Sequence, residues 1–155
     1  MKIITLFPLV FIMLLFGCSQ QTDNSKLKSE LLRVDREFSA RSAEAGNNQA
    51  FIEYAAPEAV LLKKNYYPIV GKREIREHLE NIPDSTYTLT WKPSYAKVAE
   101  SGELGYTFGV YTMKTVAKPV KTYHGTYVTI WEKNNKDQWR FVLDSGNSGT
   151  GEEGE

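Results

Sequence analysis

Cysteine and histidine are scarce in this sequence of 155 residues, which contains one cysteine, Cys18, and two histidines, His78 and His124. A lone thiol excludes an intramolecular disulfide, and two distant histidines do not have the spacing of a zinc site. Charge of one sign is not in excess either, because 19 Lys and Arg residues balance 19 Asp and Glu residues. Since nucleic-acid binding requires a clustered basic surface, we expect no nucleic-acid partner. The scarcity of cysteine and histidine likewise leads us to expect no bound metal.

The sequence also lacks the motifs of phosphate binding and of serine nucleophiles. No glycine-rich loop follows a predicted strand, and no serine lies in a nucleophile elbow. These absences count against nucleotide-dependent and hydrolytic functions, and we expect no cofactor. What is present is an ordinary globular composition, with 41% hydrophobic and 25% charged residues, which predicts one packed domain.

An export signal is predicted at the N-terminus. After Lys2, the apolar run of residues 3–16 is shorter than the roughly 20 residues that cross a bilayer. Such a run behind a positive charge is typical of a signal peptide. We therefore exclude residues 1–17 from the folded domain.

Cys18 follows this run directly, and "LLFGC" resembles the lipobox of bacterial lipoprotein precursors. The resemblance implies cleavage before Cys18, its acylation and a lipid anchor in the bacterial cell envelope. Ser19 stands where an aspartate would resemble an inner-membrane retention signal, which favours the outer membrane. The alternative is a simple signal peptide that carries a cysteine by chance.

A long helix is predicted after a flexible tether. Residues 18–25 are polar and aperiodic, as linkers are. From Lys26 onward, apolar residues recur at steps of four, three and four, the pattern of an amphipathic helix that Gly46 ends. The apolar stripe consists of Leu27, Leu31, Val34 and Phe38.

Two shorter helices and a strand follow. Asn47 or Asn48 is placed to cap the second helix, and Pro57 to end it. The apolar "AVLLKK" then predicts a strand. The third helix lies within "GKREIREHLENIP", where Ile75 and Leu79 share one face.

Four long strands are predicted in the C-terminal half, which is rich in Tyr, Thr, Val, Phe and Trp. Polar turns separate them, so successive strands should pair as an antiparallel meander. The predicted strands are residues 86–98, 103–116, 121–133 and 138–145. Helices followed by strands indicate an α+β domain over residues 26–147, with a disordered tail over residues 148–155.

The segments "YYPIVGKREIREHL" and "GTYVTIWEKNNKDQWRFVLDSGN" resemble the SnoaL-like branch of the nuclear transport factor 2-like superfamily, also called cystatin-like or ketosteroid-isomerase-like. The resemblance covers about residues 27–147. It implies a curved antiparallel sheet wrapped round the long helix, with an apolar cavity at the open end of this cone. Gly105, Gly109 and Gly125 lie inside strand segments and are compatible with it, because bulges and bends at glycine curve a sheet.

Asp144 lies near the end of the last predicted strand. Regular alternation places Trp139, Phe141 and Leu143 on one face, and Arg140, Val142 and Asp144 on the other. Three roles remain open for Asp144: a solvent-facing or turn-capping acid, a polar group at the cavity rim that orients a ligand, or a general acid or base.

Further site candidates are aromatic residues and a histidine. Aromatic side chains also pack well in sheets, so each ligand-binding candidate has packing as its alternative role. The ligand-binding candidates are Tyr54, Trp91, Tyr111, Tyr127, Trp131 and Asp144. Catalytic candidates are Asp144, His124 and Tyr127, although His124 also fits an exposed strand position, and His78 is expected on the surface.

One departure from the enzymes of the superfamily concerns the first strand. The resemblance implies an acidic base on or just after it, where this sequence has Lys63 and Lys64, which we expect to be partly solvated. We therefore predict a lipid-anchored domain that binds a small, partly apolar molecule, with no catalysis assigned. One alternative is a lyase or isomerase that uses Asp144 as acid or base. Another is a homodimer or adaptor that binds a protein partner through the outer sheet face.

Overall fold

The computed structural model describes residues 24–150, so the predicted signal peptide, Cys18 and residues 151–155 lie outside the described range. The helices within it are α1 (Asn24–Ala45), α2 (Asn47–Tyr54) and α3 (Lys72–Glu80). The strands are β1 (Ala55–Leu62), β2 (Ile69–Val70), β3 (Tyr87–Val98), β4 (Leu104–Thr115), β5 (Thr122–Lys133) and β6 (Trp139–Ser148). None of these helices is long and apolar enough to cross a membrane.

The strands form one curved sheet in the order β2-β1-β6-β5-β4-β3. Strands β3 to β6 are the antiparallel meander predicted from their turns. β1 joins the sheet in parallel with β6, and β2 adds an antiparallel edge to β1. The α+β fold class is confirmed. The parallel pairing was not predicted because β1 and β6 are distant in sequence, and β2 was not predicted because it has only two residues.

Helix α1 lies across the inner face of the sheet. The predicted stripe residues Leu27, Leu31 and Phe38 are buried, and Val34 is partly buried. The helix begins inside the predicted tether because the side-chain amide of Asn24 donates to the Val98 carbonyl oxygen at 3.3 Å, which attaches the first turn to β3. At the other end of the chain, β6 continues to residue 148, the first residue of the predicted tail.

Phe38 is the centre of the aromatic core. Its ring stacks on Tyr54 with the ring centroids 4.6 Å apart and meets Trp91 edge-on at 4.6 Å. Trp131 and Phe141 approach the same ring at 6.0 and 5.8 Å. Such ring pairs add to the stability from buried apolar area, so this cluster joins α1, α2 and the sheet.

The N-terminus of α2 is capped by a distant residue and not by the predicted asparagines. Both carboxylate oxygens of Asp84 accept from the Asn48 backbone N–H, at 3.1 and 3.0 Å. The Asn48 side chain instead donates to the carbonyl oxygens of Leu79 and Ile82. The helix ends at Tyr54, and Pro57 lies within β1, where pairing with β6 is irregular and no ladder hydrogen bond is lost.

Of the three predicted glycines, Gly109 lies at a bulge, because it pairs with Pro93 where the register of β3 shifts before Tyr95. The pairing of β5 with β6 shifts at Val142, and pairing between β4 and β5 is regular throughout. The glycines also allow close approach. A Cβ at Gly105 would lie 2.7 Å from the Lys97 backbone oxygen and 2.8 Å from the Leu31 side chain, so a larger residue would disturb the pairing with β3 and the packing of Leu31.

Candidate functional site

A cavity of about 390 Å³ opens between the inner face of the sheet and the helices. We call it the cone cavity. Its wall is mostly apolar and aromatic, and its main members are Phe51, Leu61, Tyr87, Leu89, Trp91, Tyr111 and Met113. Its polar groups include Lys63, His78, Tyr127 and Asp144. A concave apolar wall with a few convergent polar groups is the usual form of a small-molecule site.

Asp144 reaches this cavity because a bulge interrupts the alternation of β6. Trp131 pairs with Phe141 and Thr129 pairs with Asp144, so β6 advances three residues where β5 advances two. Val142 is the additional residue. Asp144 therefore lies on the same face as Phe141, and the prediction that it lies on the opposite face is wrong. The same bulge turns Leu143 away from the face that was predicted for it.

The carboxyl of Asp144 is held partly protonated near neutral pH. Burial raises its pKa to about 7, because the ionised form loses hydration in the apolar cavity. Thr129 opposes the rise by donating its hydroxyl hydrogen to Oδ2 at 2.7 Å. The charge of Asp35 adds to the rise, and the charge of Lys63 opposes it.

Asp35 is the main site residue that the sequence analysis missed. It is fully buried in α1, and it accepts a hydrogen bond from Trp91 Nε1 at 2.7 Å and one from the Tyr127 hydroxyl at 2.8 Å. Burial raises its pKa, and these bonds oppose the rise. A signal was available, because Asp35 stands four residues after Leu31 and three before Phe38, inside the apolar stripe.

Tyr127 connects the buried acid to the cavity wall. Its side chain lines the cone cavity and its hydroxyl hydrogen is donated to Asp35. Burial, with the nearby charge and hydrogen bond of Asp35, raises the pKa of the phenol, so it stays neutral. Tyr127 therefore contributes an oxygen acceptor and an apolar ring.

Lys63 lies on the cavity wall close to Asp144. Burial lowers the pKa of its ammonium group, and the charge of Asp144 opposes that fall. Lys64 also lines the cavity but is exposed. The position at which the family resemblance implied an acidic base thus carries a lysine, whose ammonium group can balance Asp144 once that carboxyl is ionised.

His78 lines the cavity as well, which corrects the prediction of a surface histidine. Its Nε2 is buried and has no hydrogen-bond partner among the described residues. Tyr66 approaches the imidazole edge-on, with ring centroids 4.7 Å apart. Burial, together with the charge of Lys63, lowers the pKa of His78, so the imidazole is neutral at physiological pH.

The other sequence candidates divide between the cavity and the rest of the fold. Trp91 and Tyr111 line the cavity as expected. Tyr54 packs against Phe38 outside it, and Trp131 is fully buried in the core, where its Nε1 donates to Thr107 at 2.9 Å. Neither side chain therefore lines the cone cavity, although Tyr54 lines a separate surface groove beside Trp139 and Arg140.

His124 is exposed on the outer sheet face, where its Nδ1 lies 3.1 Å from the Thr112 hydroxyl. It does not meet Asp144 or Tyr127, so it is removed as a catalytic candidate. Among residues 24–150, no group of His, Cys, Asp and Glu has the arrangement of a metal site.

No protein-family model and no curated protein matches this sequence. Solved structures do match its fold. An NTF2-like protein with a cystatin-like fold from Novosphingobium aromaticivorans matches with a TM-score of 0.65 and 14% identity, over 82% of this chain and 88% of that chain. A ketosteroid isomerase-like protein from Erwinia carotovora matches with a TM-score of 0.64 and 13% identity, over 77% and 94% of the two chains. The chain has the nuclear transport factor 2-like fold.

A further matching structure contains a bound small molecule. It is a structure from Catenulispora acidiphila in complex with S-DNPA, with a TM-score of 0.61 and 11% identity, over 78% of this chain and 95% of that chain. At such identities the likeness concerns the fold alone, because NTF2-like scaffolds carry many unrelated functions. The superfamily fold expected from the sequence is thus confirmed, and the SnoaL-like branch and the lipoprotein signal stay predictions.

Proposed function

We propose that this NTF2-like domain binds a small, mostly apolar molecule in the cone cavity, with Asp144 as the polar group that orients it. The supporting observation is the combination of an apolar wall, a volume of about 390 Å³ and a carboxyl whose pKa is raised to about 7. A buried carboxyl with this pKa can donate or accept a hydrogen bond near neutral pH. It therefore suits a neutral ligand with one polar group.

Filling the cavity tests this proposal. Gly146 lies on the cavity wall and has room for a side chain, because a Cβ there would lie 3.5 Å from the Tyr111 ring. Gly146→Phe should therefore abolish binding of the neutral fluorophore N-phenyl-1-naphthylamine. The matched control is Thr126→Phe, which adds the same ring on the exposed outer face of the neighbouring strand. Equal binding by both variants would contradict the proposal.

Proton transfer by Asp144 is a second candidate function. A general acid or base works best when its pKa is close to the working pH, and the pKa of Asp144 is raised to about 7. A lyase or isomerase would use it on a carbon or oxygen of the bound substrate. Compounds that raise the melting temperature of the wild type would be incubated with the protein and followed by mass spectrometry. Turnover should fall at least about a hundredfold in Asp144→Asn, and unchanged turnover would exclude this role.

The outer sheet face favours self-association. Its central side chains are apolar and exposed, with Phe108 at 44% and Val110 at 41% of their full exposure. Tyr95 stacks on Phe108 with ring centroids 5.5 Å apart. Exposed apolar patches of this kind often mark protein interfaces. We expect a dimer in light scattering, disrupted by Phe108→Lys and unaffected by the exposed control Glu37→Lys; a monomeric wild type would contradict this interface.

Anchoring at Cys18 completes the proposal. The lipobox-like "LLFGC" supports acylation of Cys18 and attachment to the cell envelope, with the outer membrane favoured. Cells that express the full chain would be labelled with radioactive palmitate. Label should enter the wild type and be lost in Cys18→Ser, and a labelled variant would exclude Cys18 as the acylated residue.

A further inference from the structure

The buried carboxyl of Asp35 accepts every hydrogen bond that it makes. Trp91 Nε1 donates to Oδ1 at 2.7 Å, and the Tyr127 hydroxyl donates to Oδ2 at 2.8 Å. Thr107 also opposes the rise in the pKa of this carboxyl. Converging donors stabilise the ionised form, whereas burial alone would favour the neutral one. The hydrogen-bond partners of the Asp35 carboxyl are thus all donors.

The orientation of the Thr107 hydroxyl is set by Trp131. Its oxygen accepts from Trp131 Nε1 at 2.9 Å, and an indole N–H can only donate. The hydroxyl hydrogen of Thr107 therefore remains available for Asp35. Both Thr107 and Trp131 are fully buried, so solvent does not compete for these bonds.

These hydrogen bonds affect the cone cavity because Tyr127 and Trp91 both line it. A phenol has one hydrogen, and that of Tyr127 is committed to Asp35. The indole hydrogen of Trp91 is committed to the same carboxyl. Any hydrogen bond between the Tyr127 oxygen and a cavity ligand therefore has to be donated by the ligand. A ligand carbonyl that faces this oxygen finds no hydrogen and stays unpaired.

We propose that Asp35, through Tyr127, makes the cone cavity selective for apolar ligands that carry a hydroxyl or N–H donor over ligands of the same shape that carry a carbonyl acceptor. This inference rests on the proposed function, because the cavity must first bind a small molecule. Asp35 acts as a positioning residue, since it fixes the orientation of the Tyr127 hydroxyl and does not line the cavity itself.

A matched pair of ligands tests the selectivity. The alcohol 1-tetralol and the ketone 1-tetralone share one carbon skeleton and differ in the hydrogen-bond donor. Isothermal titration should show that the wild type binds the alcohol about tenfold more tightly, the ratio that one lost polar contact produces. Lys63 can donate to either ligand and Asp144 can donate or accept, and both residues are retained throughout. A change in the ratio between variants therefore reports on Tyr127.

The Asp35→Asn variant should reverse the preference. Because the Trp91 N–H can only donate, the amide oxygen of the new side chain must face Trp91, and its NH₂ group must face Tyr127. The Tyr127 oxygen then accepts from the amide, and its own hydrogen turns towards the cavity. The ketone should become the tighter ligand, so the ratio of the two dissociation constants crosses one.

Tyr127→Phe provides a second variant that keeps the Trp91 bond to Asp35. It should bring the affinity for the alcohol down to that for the ketone. Binding of both ligands by the wild type without a preference, or a ratio that neither variant changes, would overturn this inference and leave the proposed function intact. If the wild type binds neither ligand nor N-phenyl-1-naphthylamine, the proposed function fails and this inference fails with it.

Discussion

Thr129 donates its hydroxyl hydrogen to Asp144 at 2.7 Å, across two neighbouring strands of the sheet. The pairing exists because the bulge at Val142 turns Asp144 inward, towards a threonine that is almost fully buried. The acid therefore combines an apolar environment, which favours its neutral form, with one donor that favours its charge. The balance of the two effects makes the site sensitive to pH near neutrality.

The first prediction concerns stability against pH. The unfolded chain releases the Asp144 proton near pH 3.8, whereas the folded chain keeps it to about pH 7. The folded state thus binds more protons between these values, so the contribution of Asp144 to stability is present below pH 3.8 and is lost as pH rises to about 7. The full difference corresponds to at most about 4 kcal/mol.

Urea unfolding of the wild type and of Asp144→Asn would measure this effect. The variant should gain free energy of unfolding relative to the wild type as pH rises to about 7, and the difference should stay constant above that pH. The comparison with the variant is needed because burial also raises the pKa of Asp35, which contributes in the same direction in both proteins. Parallel stability curves would show that Asp144 titrates normally.

The second prediction removes the donor to Asp144. Thr129→Val keeps the shape of the side chain and deletes the bond that stabilises the ionised carboxylate. The pKa of Asp144 should rise further. Since Asp144 is proposed to orient the ligand, its ionisation should change the affinity for N-phenyl-1-naphthylamine, and the pH midpoint of that change should move up by about one unit. Thr126→Val, an exposed threonine of the same strand, is the control and should leave the midpoint unchanged. Equal midpoints in the two variants would mean that Thr129 does not influence the pKa of Asp144.

The helices and the four long strands of this fold were predictable from local pattern. Steps of three and four residues placed Leu27, Leu31 and Phe38 on the buried face of α1, and alternation with polar turns defined the meander. These signals are reliable because each depends on residues that are close in sequence. The parallel pairing of β1 with β6 has no such signal and required the three-dimensional structure.

The site was harder to predict because it depends on departures from regular pattern. One extra residue at Val142 reverses the faces of β6, and no local signal marks it. Asp35 was missed because a single acid inside an apolar stripe looks like an interruption, although its burial makes it the centre of a hydrogen-bond network. His78 was assigned to the surface because its position beside Leu79 on α3 does not indicate the contact with Tyr66 or the cavity wall.

The third prediction concerns the cap of α2. Asp84→Ala removes both oxygens that accept from the Asn48 N–H and should lower the free energy of unfolding by about 1 kcal/mol. Glu37→Ala is the control, because Glu37 belongs to an exposed ion pair with Arg33 that contributes less than about 0.5 kcal/mol. Equal losses would mean that Asp84 does not act as a cap. Chemical denaturation at one pH is sufficient for the comparison.

The fourth prediction compares two glycines beside Tyr111. A Cβ at Gly125 would overlap the backbone oxygen of Asn147 and the Tyr111 ring, so Gly125→Ala must displace a strand or a cavity side chain. We expect a loss of about 2–3 kcal/mol in the free energy of unfolding, as for other overpacked sites. Weaker binding of N-phenyl-1-naphthylamine should accompany it, since Tyr111 lines the cavity.

Gly146→Ala is the matched control for this change. Its new methyl group would touch the same Tyr111 ring at 3.5 Å, an ordinary van der Waals distance, and the backbone there needs no positive φ. The free energy of unfolding should therefore change by less than about 1 kcal/mol. A Gly125→Ala variant as stable as Gly146→Ala would show that the sheet or the Tyr111 side chain moves at little cost to make room for the methyl group. The cavity wall would then be able to adapt to its ligand at Tyr111.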